Sequence, residues 1–237
     1  MDIMEILSDA LIYPTKNITA LAIYLALALV SGLVIGLTGL GTVFAGKTNV
    51  FASYGIAFLG LVLTLIIGLL IDGFALDIIK YGINRSDDAP AIDFVRQTVN
   101  GFKLLVVQIV YFIIPLIITI LARFIFNKWV TLVIAVILFV IFGLAHTMAI
   151  CKLAQTDNLY DALNIGDAIE DISRVGTIKL IMTILAIAII AFIIAAIILG
   201  ISGAIFSSTI SAIITCIVGV YLLFFSNRAV GLVYSDM

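Results

Sequence analysis

The chain has 237 residues, of which 64% are hydrophobic and 11% are charged, and its formal net charge is −2. Soluble domains contain about 45–50% apolar and about 25% charged residues, so this composition excludes a soluble domain and indicates a protein of the lipid bilayer. The 12 Lys and Arg residues are scattered along the chain. This scatter excludes the basic stripe that nucleic-acid binding requires.

Six apolar runs of about 20 residues are long enough to cross a hydrocarbon core of about 30 Å as helices. The predicted spans are residues 18–40, 54–74, 104–124, 129–150, 180–201 and 210–225. The sequence therefore predicts an all-α, polytopic integral membrane protein with six transmembrane helices, built as a single membrane domain over residues 1–237. Asp2, Glu5 and Asp9 precede the first basic residue, Lys16, whereas a secretory signal begins with basic residues. We expect the first span to be retained.

A short amphipathic segment precedes each span that leaves the inner face. Its apolar residues recur at helical spacing. They are Met4, Leu7 and Leu11, then Ile92, Val95 and Val99, then Ile165, Ala168 and Ile172. We predict three quasi-repeated hairpins, at about 1–88, 89–158 and 159–237, each preceded by a short amphipathic surface helix. The alternative is that any loop entering a membrane looks amphipathic.

The basic residues are distributed unequally between the two ends of the predicted spans. One side carries Lys16, Lys80, Arg85, Arg96, Lys103, Lys152, Arg174, Lys179 and Arg228. The other side carries only Lys47, Arg123 and Lys128. Because cytoplasmic loops are enriched in Lys and Arg, we expect a multi-pass protein of the cell membrane with both termini in the cytoplasm.

Two smaller patterns concern packing. Cys151 and Cys216 lie at depths that differ by tens of ångströms, beyond the reach of a disulfide, which predicts two free thiols. Ala28, Gly32 and Gly36 recur every four residues on the first span. Small residues at this spacing let membrane helices approach closely, and we expect the ladder to serve packing within the chain rather than dimerisation.

Four polar residues fall near the inner ends of the returning spans: Asp72, His146, Asn227 and Arg228. From the helical rise, the first three lie about 26 Å below the outer ends of their helices. Polar groups in a span are costly and are therefore functional candidates. If the hairpins share an axis, the four would line a pocket for an ion or a lipid headgroup, with Asp72 paired to Arg228 or His146. The alternative is that helix ends become polar where water begins.

Catalytic motifs are weak. Gly200, Ser202 and Gly203 match the GxSG form of rhomboid-type intramembrane proteases, in which the serine needs a histidine base. The single histidine, His146, lies more than about 20 Å from Ser202 by helix rise. The sequence has no metal-ligand cluster, phosphate-binding glycine loop or HExxH motif. We predict no catalytic residue, no metal site and no cofactor.

Another pattern points to transport. Glu170 and Gly176 have the separation found in the EAA loop of bacterial-type ABC importer permeases, which docks on an ATPase. Asp171 and Ile172 stand where that loop has two alanines, and no proline follows in the fifth span. The match is therefore incomplete.

Several short motifs carry a resemblance. They are Pro90, the entry Gly101-Phe102-Lys103, the step from Tyr111 to Pro115 and the closing stretch 228–234. With these motifs the chain resembles an archaeal and bacterial membrane family catalogued as domain of unknown function 4013. It is also similar to the membrane domain attached to some glycerophosphodiester phosphodiesterases. The resemblance implies a six-helix membrane protein without an assigned activity, and it transfers no catalytic residue.

Three classes of function remain open from the sequence. We expect a non-enzymatic membrane component that binds or organises lipid, or that supports a protein partner at its cytoplasmic face. The alternative is a small transporter or a permease subunit of a transport complex. An intramembrane enzyme would need polar groups that converge at one depth, and only the group of Asp72, His146 and Arg228 qualifies.

Overall fold

A computed structural model describes residues 1–236, apart from the side chains of Ser208 and Thr209. That part of the chain contains helices and no strand. The elements in chain order are α1 (Ile3–Lys16), α2 (Ile18–Gly46), α3 (Val50–Ile83), α4 (Phe94–Ile125), α5 (Lys128–Thr156), α6 (Leu159–Ala162), α7 (Ile165–Val175), α8 (Thr177–Ile205) and α9 (Ser208–Tyr234). The predicted all-α class is confirmed.

Six of these helices, α2, α3, α4, α5, α8 and α9, are long and apolar enough to cross a membrane. This confirms the six predicted spans. They range from 27 to 34 residues, whereas about 20 residues suffice to cross the hydrocarbon core. The helices therefore continue past the predicted ends. In α3, for example, the predicted span ends at Phe74 but the helix continues to Ile83.

Asparagines begin the returning helices α3 and α5. The Asn49 side chain accepts hydrogen bonds from the backbone N–H groups of Phe51 and Ala52, at 2.9 and 3.3 Å. Asn127 caps α5 in the same way. Such caps satisfy amide groups that the first turn of a helix leaves free. They allow the helices of a hairpin to follow each other closely, and only Phe126 and Asn127 separate α4 from α5.

Separate amphipathic helices precede the first and third hairpins, as predicted. In α1, Ile6, Leu7 and Ala10 form the buried apolar face. In α7, Ala168 and Ile172 do the same. Each of these helices ends at its junction with the following membrane helix, at Asn17 and Gly176.

The segment ahead of the second hairpin differs, and the prediction of a separate surface helix there is wrong. α4 runs without a break from Phe94 to Ile125, so the amphipathic segment forms its first turns. Val95 and Val99 of that segment are exposed. Since the second hairpin lacks a surface helix of its own, the threefold repeat is not confirmed.

α3 is the central helix and packs against α2, α4 and α9. Where α3 crosses α4, each of the two helices has a glycine at the contact. A Cβ atom on Gly73 of α3 would overlap the carbonyl oxygen of Gln97, and one on Gly101 of α4 would overlap that of Leu69. Only helices without side chains at these two positions can approach this closely.

Four charged groups meet at one end of the bundle, which we call the terminal face. The Asp236 carboxylate lies 2.9 Å from the amino group of Met1 and 2.6 Å from both Arg85 and Lys179. Most of the large, fully buried side chains lie in the half of the bundle next to this face. They include Tyr13, Tyr24, Phe74, Ile78, Leu153, Phe224, Phe225 and Arg228. The core therefore occupies one half of the molecule.

The far half of the bundle is loosely packed. Gly32 and Gly36 of α2 are exposed, and nothing lies within 4 Å of where a Cβ on either would be placed. Ala28 does pack against the core cluster that includes Tyr24 and Phe224. The expectation that the ladder packs within the chain is therefore wrong for its two glycines. Cys151 and Cys216 are free thiols, as predicted.

Candidate functional site

Arg228 is the most completely buried charged residue of the predicted cluster, at 1% exposure. Its Nε donates to the carboxylate of Asp9 at 2.7 Å, and its Nη2 donates to Asp87 at 3.4 Å. Its Nη1 donates to the carbonyl oxygens of Tyr81 and Ser86. The guanidinium thus joins α1, α9 and the loop that follows α3.

Tyr13 and Asp87 also lie close to the Arg228 guanidinium. The guanidinium carbon of Arg228 lies 4.7 Å from the centre of the Tyr13 ring, a cation–π distance. Burial raises the pKa of Tyr13 to about 12, so its hydroxyl stays protonated and donates to the carbonyl of Asp88 at 3.1 Å. A hydrogen bond from Lys16 lowers the pKa of Asp87, which keeps that carboxylate charged beside Arg228. Every contact of Arg228 named here is to another group of the same chain.

Asp72 lies on α3. It is half-buried. Within residues 1–236 its carboxylate takes part in none of the side-chain hydrogen bonds or ion pairs. Its neighbours include Gly68 and Leu69 of its own helix and Leu105 of α4.

His146 and Asn227 have local surroundings of their own. The imidazole of His146 packs against the rings of Tyr111 and Phe112, with centroids 6.1 and 5.0 Å apart. Its Nε2 is buried without a hydrogen-bond partner in the described part of the chain. The Asn227 amide donates to the carbonyl of Leu223, one turn earlier in α9, at 2.7 Å.

The four predicted residues are therefore not joined. No hydrogen bond or ion pair within residues 1–236 connects any two of Asp72, His146, Asn227 and Arg228. The predicted pairing of Asp72 with Arg228 or His146 is wrong, because Arg228 finds its carboxylates in α1 and in the loop after α3. Whether any of the four has a function stays a prediction.

Asp72 instead lies in a large surface cavity, which we call the lateral groove. Its floor is formed by residues 57–72 of α3, one wall by residues 35–42 of α2, and the other wall includes Leu105 of α4. Its volume is about 770 Å³. The lining is apolar apart from three threonines and Asp72. Its lining residues Leu61 and Leu65 are 64% and 49% exposed, so the groove opens toward the lipid.

A polar network that the sequence analysis missed lies on the terminal-face side of Asp72. The Asp77 carboxylate, with its side chain 3% exposed, lies 3.0 Å from Nη1 and Nη2 of Arg96. The amides of Gln97 and Asn100 also donate to it, at 3.4 and 3.3 Å. The Tyr24 hydroxyl donates to Gln97 at 2.6 Å, which links the network to α2.

A polar pocket of about 90 Å³ adjoins this network, lined in part by Asp77, Lys80, Arg96, Asn100 and Asp157. A volume of this size holds about three waters. The sequence did carry a signal for the network. Arg96, Gln97 and Asn100 fall on one face of a helix. Asp77, however, lies beyond the predicted end of its span, where charged residues are common and do not indicate a site.

The remaining candidates do not form a reactive site. The Ser202 hydroxyl donates to the carbonyl of Leu199 on its own helix, at 3.1 Å, and not to a base. Within residues 1–236, no three side chains of the His, Cys, Asp or Glu types come together as metal ligands. Glu170 pairs with Arg174 at 2.6 Å on the exposed face of α7.

Comparison with protein-family models gives a match. A family model described as a protein of unknown function, DUF4013, matches residues 55–205. No curated protein and no solved structure matches the chain, so the similarity to the membrane domain of glycerophosphodiester phosphodiesterases is not shown. The matched range includes Pro90, Gly101 and Pro115 of the motifs noted in the sequence. It covers most of α3 and all of the helices from α4 to α8. The chain belongs to the DUF4013 family of proteins of unknown function.

Proposed function

We propose that this protein is a non-enzymatic membrane component that binds lipid, and that the lateral groove holds the acyl chain. The groove itself is the observation that supports the proposal. It combines a volume of about 770 Å³ with an apolar lining and an opening toward the bilayer. Small-molecule sites have volumes of about 300–1,000 Å³ and mostly apolar walls.

The shape of the groove suits an extended chain. Its floor runs along α3 from Ala57 to Asp72, which is about 22 Å by the helical rise. Gly68 has no side chain to fill the groove, and the space where its Cβ would stand is open. An acyl chain in the groove would exchange contacts with bulk lipid for contacts with fixed walls, and tighter packing of this kind favours retention.

The polar groups elsewhere support a binding role over catalysis. Asp77 and Arg228 are buried and are bonded to groups of the same chain. A buried charge that is already paired is unavailable to a substrate, and releasing it would leave its partner uncompensated. We therefore place the function in the groove and not in these networks.

Lipid retention tests the proposal. The full chain is purified in mild detergent and the lipid bound per chain is counted by native mass spectrometry. We expect one lipid to survive washing in the wild type and to be lost in Gly68→Leu, whose side chain would fill the floor. Gly219→Leu is the matched control, since that glycine of α9 also has open space around it and does not line the groove.

Two outcomes would contradict the proposal. Equal lipid retention by the wild type and Gly68→Leu would show that the groove is not the lipid site. Co-purification of a stoichiometric ATPase in place of lipid would support the alternative of a permease subunit, and residues 170–176 would then be the segment to alter first.

A further inference from the structure

We propose that Asp72 selects the lipid, by binding the ammonium group of an amine-bearing headgroup whose acyl chain lies in the lateral groove. The inference rests on the proposed function, and it adds the chemical class of the ligand. It is carried by the position of one carboxylate, without a partner in the described part of the chain, at the end of an apolar groove.

Asp72 and Asp77 are the only carboxylates in the six candidate spans. They lie on the same helix, but their surroundings differ. Asp77 has a bidentate cation, Arg96, and two amide donors. Asp72 has neither a cation nor a donor within residues 1–236. An ionised carboxylate close to hydrocarbon is costly without a partner, so a cation from outside the described chain would stabilise the charged form of Asp72.

The depth of Asp72 allows a headgroup to reach it. Asp72 precedes Asp77 by five residues, which is about 7.5 Å along the helix. The Arg96 side chain that holds Asp77 is charged and 42% exposed. A charged group of this kind favours the aqueous edge of the membrane, and we place this level of the bundle there. A headgroup at that edge has its ammonium within a short distance of Asp72, while its acyl chain extends into the groove.

The recognition would be electrostatic and would use hydrogen bonds. A primary ammonium has three N–H donors and a full positive charge, and bonds of this kind to a carboxylate are about twice as strong as neutral ones. A quaternary ammonium has the charge without the donors, and a glycerol headgroup has neither the charge nor an N–H. We therefore expect the order phosphatidylethanolamine, then phosphatidylcholine, then phosphatidylglycerol.

The test uses the full chain in vesicles that contain these three lipids in equal amounts with identical acyl chains. After extraction in mild detergent, mass spectrometry gives the class of the bound lipid. The wild type should enrich phosphatidylethanolamine over phosphatidylglycerol by about tenfold, a factor equal to about 1.4 kcal/mol. Asp72→Asn should still bind lipid but without preference, and Asp72→Glu should keep the preference. Glu170→Gln, which removes a carboxylate far from the groove, is the control.

The outcomes separate this inference from the proposed function. A wild type that retains lipid without a class preference, or a preference that persists in Asp72→Asn, would overturn the inference alone. Loss of all lipid binding by the wild type would overturn the proposed function as well. A co-purifying membrane protein that is lost only in Asp72→Asn would show that the cation belongs to a partner helix and not to a lipid, which also overturns it.

Discussion

At the scale of single residues, Arg228 shows how a correct position leads to wrong partners. The sequence places it near the inner end of the last span, where a basic residue is ordinary. The structure gives it a carboxylate from Asp9, 219 positions earlier in the chain. Helical periodicity describes neighbours within one helix, so it contains no information about a contact of this range.

We predict that Arg228→Met destabilises the protein by about 2–3 kcal/mol. The change leaves Asp9 and the carbonyl oxygens of Tyr81 and Ser86 without their donor, and breaking a buried charge network costs this much or more. Thermal unfolding of the detergent-solubilised protein measures the loss.

The matched control for this variant is Arg123→Met. Arg123 is exposed near the end of α4 and forms no ion pair within residues 1–236. Its replacement should change the thermal unfolding midpoint only slightly. If both variants lowered the thermal unfolding midpoint equally, the buried contacts of Arg228 would not be the source of the destabilisation.

Asp72 marks what the sequence can and cannot predict about the site. Its depth and its cost in the bilayer follow from hydropathy and helix rise alone. Its lack of a partner does not follow, because that depends on which faces of α2, α3 and α4 meet. The network of Asp77 was missed for the same reason, because its partners Arg96 and Gln97 lie on the other helix of the α3–α4 crossing.

At the scale of elements, hydropathy located all six spans because about 20 apolar residues have one stable state in a bilayer. It failed at the start of α4. The polar stretch there was expected to end before the membrane, yet the chain between Phe94 and Lys103 contains no proline that would break the helix. Amphipathicity reports which face is polar, and it does not report where a helix bends.

We predict that Gly73→Ala weakens the packing of α3 on α4 by about 1–3 kcal/mol. The added methyl group would overlap the Gln97 carbonyl, and the two backbones would have to separate. Thermal unfolding and the protease sensitivity of the loop between α3 and α4 give the readouts.

Gly55→Ala on the same helix is the control for this change. Nothing lies within 4 Å of the position of its Cβ, and alanine is the better helix former by about 0.5–1 kcal/mol. We therefore expect it to be neutral or stabilising. A Gly73→Ala protein as stable as the wild type would mean that the crossing is not close in the membrane.

At the scale of the whole molecule, the structure places both ends of the chain on one face. Asp236 contacts Met1, Arg85 and Lys179, and these four residues come from separate parts of the sequence. This follows from an even number of spans. Which side of the membrane the terminal face meets is predicted by the excess of Lys and Arg there.

Single cysteines in a cysteine-free background test the orientation. We predict that Lys47→Cys, in the turn between α2 and α3, reacts with a membrane-impermeant thiol reagent on intact cells. Tyr160→Cys, whose native side chain is 81% exposed on the opposite side of the spans, should react only after permeabilisation. The reverse pattern would place the terminal face outside the cell.

The packing of α1 on α9 has a consequence for biosynthesis. α1 packs chiefly on α9, where Tyr221 donates to the Leu11 carbonyl at 2.6 Å and Arg228 holds Asp9. α1 leaves the ribosome before the six described spans, and α9 is the last of these six to be inserted. Until then α1 lacks the helix against which it chiefly packs. A nascent chain that stops before α9 would therefore leave α1 undocked, a state that quality-control proteases can recognise.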